Sequence, residues 1–173
     1  YYCDESFLFC FSRLTAQGVL RLILDTVDCD MIALNAVVIG YGRCGKSICR
    51  LLKKCGFKVM SVSRRKETII EAYNDGIKAV SINQIDEFVD DTDILINTVP
   101  VNILSKEYIS RLKSNTIYIE VASKPYGFNI TQTDVYNFRY ILAESLPGRF
   151  VPESAGKNIA DTVLKILKEE VYG

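Results

Sequence analysis

The 173-residue chain reads as an α/β protein: a doubly wound parallel sheet of about six strands with helices on both faces. Three observations predict it. Short apolar runs such as Ala36-Val37-Val38-Ile39 and Ile94-Leu95-Ile96 alternate with stretches of helical periodicity. These runs are nearly continuous rather than alternating, the signature of strands buried on both faces. The glycine-rich turn Gly40-Tyr41-Gly42-Arg43-Cys44-Gly45 stands directly between the first run and a helical stretch.

Taken in order, Thr15-Ala16-Gln17-Gly18 leads into a segment where Val19, Leu22, Ile23 and Val27 recur at helical spacing, with Thr15 as its cap. A helix ahead of the first strand is expected to cross from another domain. Residues 1–35 therefore read as a crossing helix and connection from a missing N-terminal domain, and residues 36–173 as the sheet domain, a Rossmann-type nucleotide-binding unit. Strand one is Ala36 to Ile39, and the next helix carries Ile48, Leu51 and Leu52 before Gly56 stops it. Strand two is Lys58 to Val62, a helix covers Glu67 to Tyr73, strand three runs from about Ala79 to Ile82, and Asp86 to Phe88 is a short helix. Strand four is Ile94 to Asn97, Lys106 to Leu112 is helical, strand five is Thr116 to Val121 and strand six lies near Tyr140 to Leu142. A last amphipathic helix from about Ala155 to Glu170, capped by Ser154, presents Ile159, Val163, Ile166 and Leu167.

Composition narrows the chemistry. Lys plus Arg number 21 and Asp plus Glu 21, so no overall field attracts a polyanion, and nucleic acid is not implied as a partner. The 6 cysteines form no C-x-x-C pair and the chain has no His, so no metal site is expected. The cysteines read as reduced thiols of a cytoplasmic protein, with Cys44 open to activation at a helix N-terminus. Without His, any proton carrier is a carboxylate, Lys, Tyr, Cys, water or another chain. No apolar run approaches the roughly 20 residues of a membrane span, Val19 to Leu24 being broken by Arg21, so no membrane association is expected. The start, Tyr1-Tyr2-Cys3-Asp4-Glu5, lacks the basic and apolar regions of a signal peptide and reads as the edge of a piece cut from a longer protein.

A G-x-G-x-x-G turn between a strand and a helix is the dinucleotide-binding fingerprint of the Rossmann fold. Gly40 permits the tight turn, Gly42 lets backbone approach the pyrophosphate, and Gly45 lets helix and strand pack closely, so Gly40 through Gly45, with Tyr41, Arg43 and Cys44, are candidate cofactor contacts. An NAD site usually places a carboxylate at the end of strand two, where this chain has Ser63-Arg64-Arg65. Arg64 and Arg65 suit a 2′-phosphate, and Ser63 can add a hydroxyl donor, which favours NADP over NAD; the other reading of this stretch is a solvated turn. Asn97-Thr98-Val99-Pro100 closes strand four at the sheet edge that receives the cofactor, Asn97 fitting a contact or a turn former. Ala122, Ser123 and Lys124 reach the same edge as contacts for nicotinamide or substrate, or as a turn only. Leu146-Pro147-Gly148-Arg149 follows strand six there, and Glu144 and Arg149 suit an anionic substrate.

Together, Thr15-Ala16-Gln17-Gly18, the glycine loop, Ser63-Arg64, the stretch Ile94 to Pro100, Val121 to Gly127 and Leu146 to Gly156 resemble the C-terminal nucleotide-binding domain of the dipicolinate synthase family, over nearly the whole chain. The resemblance implies an NADP- or NAD-dependent dehydrogenase of sporulating bacteria, located in the mother cell. It implies oxidation of a dihydrodipicolinate-level dicarboxylate to dipicolinate in company with a flavoprotein-like companion subunit, this portion alone being inactive. On that footing Thr15, Gln17 and Gly18 face a substrate cleft with Lys124 and Pro147, and Thr98 and Pro100 border the nicotinamide ribose. Two positions depart from the family pattern: Lys124 stands where Arg is common and Tyr126 where a glycine-like residue is. The oligomeric state is open, a homo-oligomer included. A shikimate-type or 2-hydroxy-acid-type dehydrogenase and a nucleotide-sensing regulatory module are the alternatives.

Overall fold

In the computed structural model, which describes residues 4–128 and 137–172, six strands form one all-parallel sheet in the order β3-β2-β1-β4-β5-β6. The strands are β1 (Asn35–Ile39), β2 (Lys58–Ser63), β3 (Lys78–Ser81), β4 (Ile94–Asn97), β5 (Ile117–Glu120) and β6 (Arg139–Leu142). Helix α1 (Glu5–Leu24) precedes them; α2 (Arg43–Lys54), α3 (Lys66–Asn74) and α4 (Lys106–Arg111) lie between them, and α5 (Leu146–Phe150) and α6 (Pro152–Tyr172) follow. The winding reverses direction between β1 and β4, opening a crevice at their carboxyl ends.

Successive strand residues serve opposite cores. Val38, Ile96 and Ile119 join Val19, Ile23, Ile48 and Leu52 on one face, whereas Val37, Leu95 and Tyr118 join Leu104, Tyr108 and Phe128 on the other. Both faces are covered, which is why the strands read as unbroken apolar runs.

Four expectations are corrected at the helices. α1 begins ten residues before Thr15, capped by Asp4, whose carboxylate accepts from the Phe7 amide at 2.8 Å. Thr15 lies mid-helix, buried, its hydroxyl donating to the Phe11 carbonyl at 3.0 Å. With its true start included, α1 is long and apolar enough to cross a bilayer, although half of it is buried against the rest of the chain. Its apolar face packs on α2 and α5, and Ser12 meets Ser47 of α2 at 2.9 Å. At the other end, α6 starts at Pro152, so Ser154 sits inside the first turn and caps nothing; a proline at the start needs no amide partner. Among its described side chains Ala155 and Thr162 are buried, whereas Ile159, Val163 and Leu167 are exposed. Residues 82–87 and 89–91 form two 3₁₀ turns in place of one short helix. α5 is hidden in the sequence by its Pro147-Gly148 dipeptide, which reads as a turn.

Gly18 marks the crossing of α1 and α5. A Cβ there would stand 2.7 Å from the Cβ of Leu146, and both atoms are fixed to their backbones. Gly18→Ala gains about 1 kcal/mol of helix propensity but forces the helices apart, and overpacking costs about 1–3 kcal/mol. Rigid Cβ–Cβ contact puts the cost at the upper end, so a net loss of about 1–2 kcal/mol is expected in urea unfolding.

Candidate functional site

The glycine turn leaves β1 at the point where the winding reverses. Gly40 has φ of +94°, and a Cβ on it would meet the Thr98 hydroxyl oxygen at 2.6 Å. A Cβ on Gly45 would stand 2.2 Å from the Gly40 carbonyl oxygen, so only glycine lets α2 start this close to the strand. Gly42 has open space where its Cβ would be. It caps α2 without a side chain, leaving the first-turn amides free beside the positive end of the helix dipole.

Beside this turn lies a cleft of about 160 Å³ lined by Gly40, Tyr41, Gly42, Ser63, Arg64, Arg65 and Thr68, with Val99 and Ile103 as apolar wall. The glycine loop and the end of β2, separate in sequence, thus meet in one concave surface. Among the described residues, no carboxylate lines it. Arg64 and Arg65 are exposed, and none of the ion pairs among the described residues involves either. Both guanidinium groups are available to an anion.

Two loop side chains are committed elsewhere, and a third is not activated. Tyr41 is buried, and its hydroxyl donates to Asp75 at 2.6 Å, a carboxylate that also takes Arg50 at 2.8 Å; burial and then Asp75 push the Tyr41 hydroxyl above its ordinary pKa. Tyr41 therefore meets the cleft without offering its hydroxyl. Arg43 pairs with Glu5 of α1 at 2.6 Å. Cys44 corrects the expectation of an activated thiol: burial raises its pKa, outweighing the nearby Arg43 charge, so the thiol stays protonated.

At the ends of β4 and β5 the polar groups turn inward. Asn97 is fully buried; its amide nitrogen donates to the Val99 carbonyl at 3.0 Å and to Glu120 at 2.7 Å, and its oxygen accepts the Val99 amide at 3.1 Å. Its side chain is spent on internal bonds. The Thr98 hydroxyl likewise donates to the Ile39 carbonyl at 2.7 Å, tying β4 to β1 under Gly40. Val99 lines the cleft, and Pro100 is exposed.

Glu120 is the residue that sequence reasoning missed. Its carboxylate is wholly buried and accepts from Asn97, from the Tyr118 hydroxyl at 3.0 Å, and from the backbone amides of Ala122 at 3.1 Å and Gly127 at 2.9 Å. Burial holds its pKa above the ordinary carboxylate value, the pull of these four donors offsetting that rise only in part. The signal was present as a carboxylate inside Ile117-Tyr118-Ile119-Glu120-Val121, since a charge in a buried strand demands partners. The network pins both ends of the loop holding Ser123 and Lys124, which are exposed, and Ala122, which is buried. A Cβ on Gly127 would strike the Asn97 amide nitrogen at 2.6 Å, which accounts for the glycine. Tyr126 sits at φ of +68°, the backbone region glycine prefers, and its hydroxyl donates to Glu144 at 3.2 Å. Among the weaker substrate candidates, Thr15, Gly18 and Pro147 are buried and Gln17 is exposed on α1; none lines this cleft. Arg149 lies over the Phe150 ring at 5.2 Å.

A crevice at the switch point, an uncapped helix end and a glycine turn of this geometry belong to dinucleotide-binding domains. The sequence profile described as D-isomer specific 2-hydroxyacid dehydrogenase, NAD binding domain, matches residues 28–125. The chain belongs to this family. As a member of this dehydrogenase NAD-binding family it also resembles a dipicolinate synthase component of Bacillus subtilis (strain 168), with 28% identity over 155 residues, 90% of this chain and 52% of that protein. Two solved structures superpose closely. Dipicolinate synthase from Bacillus subtilis gives a TM-score of 0.90 at 27% identity, covering 96% of this chain and 56% of that one. The corresponding dipicolinate synthase component from Bacillus halodurans gives 0.89 at 27% identity, covering 95% and 57%. The chain thus spans little more than half the length of these relatives.

Two outcomes follow from the buried groups. Glu120→Gln turns one acceptor oxygen into an N–H that meets the donating amide of Ala122 or Gly127, so unfolding stability is expected to fall by about 1–3 kcal/mol, read from the urea midpoint. Cys44 should resist iodoacetamide at neutral pH while the exposed Cys29 is alkylated, as read by peptide mass mapping.

Proposed function

We propose that this chain is the cofactor-holding portion of a dehydrogenase that binds NADP in preference to NAD and contributes to forming dipicolinate from a cyclic dicarboxylate precursor. The observation that carries the cofactor reading is the cleft itself, where the glycine turn meets two guanidinium groups that, among the described residues, have no ion-pair partner and no carboxylate beside them. The amides of Arg43, Cys44 and Gly45 would face the pyrophosphate, Gly42 would admit it, and Arg64 and Arg65 would hold a 2′-phosphate on the adenosine ribose. The bound nicotinamide would supply the hydride acceptor; the residues described here bind and orient.

The substrate reading is supported by the likeness to dipicolinate synthase over 90% of the chain. By the same likeness, a further, companion subunit would work beside this one. Thr98 and the loop pinned by Glu120 border the edge at which the nicotinamide would lie, and Ser123 and Lys124 would reach substrate from that loop. The family match at residues 28–125 favours a second reading, a small 2-hydroxy acid as substrate. Dipicolinate formation by the full-length enzyme with its companion subunit decides between them.

Arg64→Ala is the direct test of the cofactor reading. Charge-assisted bonds to phosphate are worth about 1.5–3 kcal/mol, so NADP affinity should fall about ten- to hundredfold in calorimetric titration while NAD affinity changes less than about twofold. Unchanged NADP binding would overturn the phosphate assignment.

A further inference from the structure

We infer that Thr68 fixes Ser63 as a hydrogen-bond acceptor toward the cleft, so that Ser63 reads a sugar hydroxyl rather than a phosphate. Ser63 ends β2 and Thr68 lies in the first turn of α3; both line the cleft. Their hydroxyl oxygens are 2.5 Å apart, and the Thr68 oxygen is 2.8 Å from the backbone carbonyl oxygen of Arg65. A hydroxyl carries one proton and two lone pairs, and a carbonyl oxygen only accepts. The Thr68 proton therefore goes to Arg65. The contact between the two hydroxyls also needs a proton, and the one left is that of Ser63.

The protons run in one direction, from Ser63 to Thr68 to the Arg65 carbonyl. Thr68 is 7% exposed, and its hydroxyl is enclosed by these two partners. Half-buried Ser63, its proton spent on Thr68, has only lone pairs left for the cleft. A phosphate monoester near neutral pH is largely the dianion and has none either. Ser63 and a 2′-phosphate thus present lone pairs to each other, whereas a ribose hydroxyl can donate to Ser63. This reverses the expectation that Ser63 donates to the phosphate. In place of the carboxylate found at this strand end in NAD sites, Ser63 supplies a neutral acceptor for a hydroxyl that both dinucleotides carry. Discrimination by phosphate then falls to the arginines alone.

The inference rests on the cleft being the adenosine end of a dinucleotide site, and the test separates the two. The full chain is titrated calorimetrically with NAD and with NADP, as wild type and as Thr68→Val, Thr68→Ser and Ser63→Ala. Thr68→Val keeps the side-chain shape but cannot accept, so the Ser63 proton turns to the cleft. The NADP to NAD affinity ratio should then rise about tenfold or more, as one hydrogen bond to a charged group allows. Thr68→Ser should keep the wild-type ratio, and Ser63→Ala should weaken both dinucleotides about fivefold. An unchanged ratio in Thr68→Val, a ratio raised equally in Thr68→Ser, or a loss confined to NADP in Ser63→Ala would overturn the relay. A wild-type chain that binds neither dinucleotide would overturn the reading of the cleft and the relay together.

Discussion

The approach of α2 to the end of β1 is the constraint on which the rest of the site depends. With only 2.2 Å between a notional Gly45 Cβ and the Gly40 carbonyl oxygen, any side chain there would push the helix off the strand. The strand end is itself held from both sides: the Gly40 amide bonds the Val62 carbonyl of β2 at 2.8 Å, and Thr98, next after β4, reaches Ile39. Three strand ends and a helix start are locked into one corner. The free amides of α2 and the side chains at the end of β2 consequently face the same space, and the cleft is a consequence of backbone geometry before any side chain contributes.

The two sides of the crevice are built on opposite principles. Toward β2 the polar groups are exposed and unpaired, as in Arg64 and Arg65, or held in a short hydroxyl chain ending on a carbonyl. Toward β5 they are buried and saturated, with Asn97 and the amides of the loop beyond all donating to Glu120. A saturated buried network is costly to disturb, because each orphaned partner forfeits its hydration without compensation. The first side is thus free to bind, and the second holds a loop in place.

Most of the sheet was legible in the sequence because burial on both faces forces uninterrupted apolar runs. Each predicted strand lies within about two residues of the observed one, the usual latitude at element ends. Helix boundaries were less legible. The start of α1 is obscured because the helical periodicity is strongest near Val19, well past Asp4 and the buried Phe7, and α5 is masked by turn-forming residues. Side-chain commitments were not legible at all. Tyr41, Arg43 and Asn97 sit within recognisable motifs, yet each is drawn off by a partner 23 to 38 residues away along the chain.

The sequence by itself therefore determined the order of elements, the glycine turn and the missing carboxylate at the end of β2, because these depend on local residue type and spacing. Only the tertiary structure decided which of the polar residues are free. That question turns on pairings such as Tyr41 with Asp75, Asn97 with Glu120 and Ser63 with Thr68, set by how strands and helices pack rather than by any periodicity. Burial and hydrogen-bond stoichiometry are properties of the folded neighbourhood, and the same Ser63 reads as donor in the sequence and as acceptor once Thr68 stands beside it.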